Sequence, residues 1–156
     1  MGPCPVSGDL AVVVSEAGMG ERLLVPFGEV VVRLAGVDTG GALSVVEMRL
    51  APRTVGAEPH VHAAHEEYFA VREGELTFDL GGSSRTVGVD GLVSVPRGHA
   101  HGFRNEATAW TMFIGMFTPA GYEDYFRDVA RLVGEGVEVT PGVLAGLRAG
   151  YGTSPA

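Results

Sequence analysis

Hydrophobic positions fall into short runs of strand length separated by turn-forming dipeptides over most of the chain. These runs predict strands at Leu10–Val14, Leu23–Phe27, Glu29–Leu34, Ala42–Leu50, Glu67–Arg72, Glu75–Leu80, Arg85–Val89, Leu92–Val95, Gly102–Asn105 and Trp110–Phe117. Gly40-Gly41, Glu73-Gly74, Gly81-Gly82, Asp90-Gly91 and Arg97-Gly98 stand between them, and each pair favours a tight reversal. Many short strands at close spacing predict an antiparallel sandwich or barrel, not a parallel sheet with covering helices. The period changes after Thr118. Tyr122, Phe126, Val129 and Val133 recur at helical spacing, with Thr118 placed to cap the helix and Pro119 in its first turn. A shorter helix is expected after Thr140-Pro141, and the tail from Gly150 reads as loose. The class is therefore all-β with one or two short C-terminal helices.

Length and composition narrow this picture. A chain of 156 residues fits one domain, 1–156, with a barrel over about 22–118 and a helical segment over about 119–150. The 46% of hydrophobic residues can fill a core, and 24 glycines agree with a turn-rich fold. All 11 basic residues are arginine, so a Walker lysine, a Schiff-base lysine and a Ser-Lys dyad are excluded. A net charge of −8 without a basic cluster argues against a nucleic-acid partner. Cys4 is the only cysteine, which excludes an intrachain disulfide and an all-thiolate zinc site and reads as a thiol on a mobile terminus. The chain opens with no basic-then-apolar leader, and its apolar runs are far too short to span a bilayer; a cytoplasmic protein with no membrane partner is expected. Leu10–Val14, read as an apolar strand that cannot stay a bare edge, predicts a homodimer formed by strand pairing or exchange.

The candidate chemistry lies in the histidines, all five of which fall between His60 and His101. His60 and His62 are two apart, so an extended chain puts both imidazoles on one face, close enough to hold one ion. The first cluster reads His60-x-His62-x4-Glu67-x6-Gly74 and the second Pro96-x-Gly98-x2-His101-x3-Asn105. Together they resemble the two signature motifs of the cupin superfamily. The Asp38-Thr-Gly-Gly turn and the Thr118-Pro-Ala-Gly-Tyr-Glu-Asp-Tyr-Phe segment are similar to single-domain members related to quercetin (flavonol) 2,3-dioxygenases. Thr54 and Asp90 stand where glycine usually opens the two motifs, with Gly56 and Gly91 close by.

The resemblance implies a double-stranded β-helix, the jelly-roll barrel of the cupins, holding one divalent transition metal (Fe, Mn, Ni, Co, Cu or Zn) on His60, His62, Glu67 and His101. Three neutral imidazoles and one carboxylate suit such an ion better than Mg or Ca, which prefer all-oxygen shells. Alternation favours Glu67 over Glu66, because an inward Glu67 carries Phe69 and Val71 inward and leaves Arg72 in water. His99 reads as a turn residue and His65 as a loop residue near the barrel mouth. Pro96, Gly98 and Asn105 are expected to shape the backbone. Met48, Phe69, Phe78, Phe103, Met112, Ile114 and Met116 form the expected inward set, lining an apolar pocket for a small organic substrate. The leading expectation is a dioxygenase oxidising a hydroxylated aromatic or enolisable substrate with O2, Glu67 acting as ligand and base. The alternatives are a non-redox cyclase or isomerase of a polyketide-like substrate and a small-molecule-binding barrel without catalysis.

Overall fold

Alternation of apolar and polar positions gives each sheet one dry face, and two such faces bury each other. The computed structural model describes residues 10–156. In chain order it contains β1 (Glu21–Val25), β2 (Gly28–Leu34), a 3-10 turn (Gly36–Thr39), β3 (Ser44–Leu50), β4 (Thr54–His62), β5 (Glu66–Glu73), β6 (Glu75–Asp79), β7 (Ser84–Gly88), β8 (Leu92–Val95), β9 (His101–Asn105), β10 (Thr111–Thr118), α1 (Glu123–Gly134), α2 (Pro141–Ala149) and β11 (Thr153–Pro155). One sheet has the order β1-β2-β3-β10-β5-β8 and the other β11-β4-β9-β6-β7, with antiparallel pairing throughout. This is the double-stranded β-helix with two short helices. Phenylalanines from both sheets meet in the middle: Phe69 lies 5.3 Å from Phe78, and Phe103 lies 5.3 Å edge-on to Phe113.

Where β4 and β9 pair, His60 stands opposite His101 across an irregular register. Gly102 permits this approach, since a Cβ there would lie 2.6 Å from the Ala57 carbonyl oxygen. Asn105 closes the far end of β9. Its buried amide donates to the carbonyls of Leu50, Ala51 and Ala109 and accepts from the Ala107 N–H.

Four expectations are corrected. Leu10–Val14 forms no strand; Val12 and Val14 are 93% and 68% exposed, and Arg33 ties down the chain just beyond by donating to the carbonyls of Ser15 and Glu16. High β-propensity needs a ladder partner, and the described residues of this chain offer that run none. The first helix starts at Glu123 rather than at Pro119, because Thr118 completes β10 against Glu66 and the Glu123 carboxylate is held by the Gly36 and Gly121 N–H groups. The tail beyond Gly150 is not loose: β11 pairs with β4, setting Thr153 beside His62. β4 itself is a nine-residue strand, where the apolar pattern predicts none. The second helix follows Thr140 as expected, the threonine hydroxyl accepting the Val143 N–H at 3.3 Å. Cys4 lies outside the described residues, among which no helix is long and apolar enough to cross a membrane.

Candidate metal centre

Strand parity carries the site. On β5, Glu67, Phe69 and Val71 are buried, whereas Tyr68 and Arg72 are exposed. Glu66, one residue earlier, turns outward and pairs with Arg97 at 2.8 Å. On β4 the same alternation sends His60 and His62 inward, and β9 delivers His101 from its first position. The four side chains are all at least 96% buried, and one donor atom from each lies within 4.8 Å of all the others.

Hydrogen bonds at the rear of each ring set its direction. His60 Nδ1 donates to the Glu58 carbonyl at 2.6 Å and His101 Nδ1 to the His99 carbonyl at 3.0 Å, while His62 Nδ1 is joined to the Thr153 hydroxyl at 2.6 Å. A carbonyl only accepts, so His60 and His101 hold protons on Nδ1 and present Nε2 to the centre. There His60 Nε2 and His62 Nε2 are 2.9 Å apart, His62 Nε2 is 2.9 Å from Glu67 Oε1, and His101 Nε2 is 2.7 Å from Glu67 Oε2. Nitrogen lone pairs and a carboxylate converging to within 2.9 Å of their nearest neighbours need positive charge among them. The donor set thus fits one divalent transition ion, with nitrogen and oxygen donors and room for further ligands.

The ionisation equilibria agree. Burial drives His60 down to about 3, helped by the nearby His101, and burial also lowers His62 against the pull of Glu67. Both rings are neutral, as ligation requires. Burial would raise Glu67 and lower His101, but their mutual hydrogen bond, with His62 and His65 adding to the former, wins in each case. Glu67 is held well below the usual carboxylate range and His101 lies above the usual imidazole value.

His65 is the loop residue expected, bordering an opening with Ala64 and Tyr122, but its side chain turns in toward the centre. It is buried on the β4–β5 connection, with Nε2 3.3 Å from Glu67 Oε1 and its ring 4.1 Å from that of His62. Tyr122 closes the centre on that side, 4.8 Å from His62 and 4.6 Å from His65. His99 is exposed, and its main contribution is the carbonyl that orients His101. Of the expected pocket residues, Met48, Phe69 and Phe103 line a narrow cavity with His60, Glu67 and Tyr122. Phe78 is fully buried in the core behind Phe69, away from that cavity. Met112, Ile114 and Met116 do not point inward: Phe113, Gly115 and Phe117 take the buried positions of β10. An apolar strand with no polar alternation leaves parity open, and Met48 settles it by occupying the space over Gly115, where a Cβ would lie 2.7 Å from its Cε. Periodicity could not single out Thr153, Tyr122 or the proximity of His65 to Glu67, since each depends on how distant segments dock.

Residues 46–116 match the family model Cupin_2, the cupin domain. The barrel is a cupin fold. Among solved structures, it is similar to the polyketide cyclase RemF from Streptomyces resistomycificus (TM-score 0.60, 18% identity, 69% of this chain and 80% of that one). A predicted oxalate decarboxylase from Thermotoga maritima matches at TM-score 0.59 and 20% identity over 70% of this chain and 99% of that one. KdgF from Halomonas sp. matches at TM-score 0.56 and 19% identity, over 64% and 86%. No curated protein matches the chain. These neighbours show the cupin architecture; the chemistry of this chain has to come from its own residues.

Proposed function

We propose that this cupin is a metal-dependent enzyme acting on a hydroxylated aromatic or enolisable organic substrate, and that its reaction is oxidation by O2. The observation that carries the reading is the buried Glu67 carboxylate, shared by imidazoles from three segments and facing an aromatic-walled cavity. Bound to His60, His62, Glu67 and His101, a divalent ion would supply Lewis acidity toward a substrate oxygen and, if redox-active, electron exchange with O2. Glu67 takes the proton from the substrate hydroxyl or enolisable carbon and holds it on its carboxylate until it is returned to the product or lost to solvent. His65 holds the Glu67 Oε1 edge in place, and Tyr122 with Phe117 excludes water from that side.

The same proton transfer serves a second reading, non-redox cyclisation or isomerisation, favoured by the Glu67–imidazole network: deprotonation and reprotonation need nothing beyond it. Oxygen uptake separates the two. Metal-analysed protein is to be offered hydroxylated aromatics under air and under nitrogen. Turnover that consumes one O2 per substrate and stops under nitrogen supports the oxygenase. Turnover unaffected by nitrogen supports the cyclase or isomerase. Turnover by metal-stripped protein equal to that of the loaded form contradicts both.

A further inference from the structure

Arg148 is the one charged side chain at the centre that the proposed chemistry leaves unused. Among the described residues, the other half-buried arginines, Arg33, Arg104 and Arg127, each pair with a carboxylate within 3.1 Å. Arg148 makes no such pair: its Nε is buried without a hydrogen-bond partner, and its guanidinium carbon lies over the Tyr125 ring at 5.6 Å from the centroid. The guanidinium thus lies against the Tyr125 side chain while its Nε–H stays unpaired. A half-buried guanidinium with an unmet, buried Nε–H is costly, and its place in the fold shows what would meet it.

Arg148 borders two spaces at once. One is the narrow cavity that reaches Glu67. The other is an outer cleft of about 250 Å³ between β4, α2 and β11, with Val55, Pro59 and Leu144 among its walls. Only His60, Gly56 and Arg148 are common to both linings, so the guanidinium stands where the cleft opens toward the metal ligands. We propose that Arg148 is an anion subsite, and that the substrate is a carboxylate-bearing hydroxy- or keto-aromatic. Its acid is held by the guanidinium fork and its apolar body lies along the cleft. A carboxylate monoanion fits better than a phosphate dianion, because a single arginine supplies one positive charge and Glu58 also lines the cleft. The substrate class rests on the reading of Glu67 as the reacting centre; the Arg148 subsite does not.

The test compares two probes of nearly equal shape and different charge, 3-hydroxybenzoate and 3-hydroxybenzamide, by calorimetric titration into the purified protein, with its metal content measured in parallel. Wild type is expected to bind the acid at least about tenfold more tightly than the amide, the scale of one charge-assisted contact. Arg148→Met, which keeps the apolar stem, should abolish that preference at unchanged metal content. Arg148→Lys, which keeps the charge and loses the fork, should retain part of it and guards against a folding defect in the first variant. Acid preference that survives in Arg148→Met, or a wild type that does not favour the acid at millimolar concentration, overturns the subsite. Preference lost in Arg148→Met in a protein that carries no metal supports the subsite and sinks the metal reading, so the two fail separately.

Discussion

At the scale of residues, one carboxylate organises the site. Glu67 receives contacts from His62, His65 and His101, and each of the three ligand imidazoles is aimed by a bond at its other nitrogen. His101 has its pKa raised by Glu67 despite its burial, so metal must displace a proton from it. The sign follows: protons compete with the ion at and below the raised value, and this competition begins above the ordinary histidine value of about 6.5. Metal affinity, measured by competition with a chromophoric chelator, is expected to fall as pH drops from 8 toward 6, with proton release on uptake. An affinity flat across that range would contradict the assignment of His101. Much of this was legible in the sequence, because the two histidine motifs fix the spacing of His60, His62, Glu67 and His101, and the period of the expected strand at Glu67–Arg72 puts Glu67 on its inner face. His65 and Arg148 were not, since a loop and a helix end gain their neighbours only by docking.

At the scale of elements, Glu123 joins the C-terminal helices to the barrel. Its buried carboxylate accepts the Gly36 N–H and the Gly121 N–H, each at 2.7 Å, binding the start of α1 to the 3-10 turn before β3. Burial raises its pKa and the backbone donors lower it, with the donors prevailing. A depressed carboxylate contributes stability that is present above its unfolded pKa, about 4.3, and lost as pH falls through the folded value. Glu123→Gln is expected to cost about 1.5–3 kcal/mol at pH 7, the worth of a hydrogen bond to a charged group, and much less near pH 3. Urea melts of both proteins at the two pH values check this; an equal difference at both would show that charge is not the cause. Helix periodicity exposed the apolar stripe of α1, where Tyr122, Phe126 and Val129 are buried. It could not place the helix start, which a tertiary contact between Gly36 and Glu123 fixes across 87 positions. In β10 the reverse holds: the strand was evident and its parity was not, because both faces are apolar.

At the scale of the whole molecule, the fold brings together what the chain keeps apart. Glu67 belongs to the six-stranded sheet, while His60, His62 and His101 belong to the five-stranded one, so the centre exists only while the two sheets face each other. β11 completes it from the end of the chain by bringing Thr153 against His62. The cupin motifs made the barrel legible before any coordinates, since each fixes turn and ligand positions together. The closing tail carried no motif, and its strand forms only against the edge of β4. The central claim is that this architecture holds one transition ion on three imidazoles and one carboxylate. X-ray absorption at the metal edge of purified protein, beside His62→Ala, tests it most directly. The account predicts one ion per chain with imidazole scattering from three rings, and its loss in the variant with the barrel still folded. Wild-type protein that takes up no stoichiometric transition ion, or an ion whose shell is unchanged in His62→Ala, would contradict it.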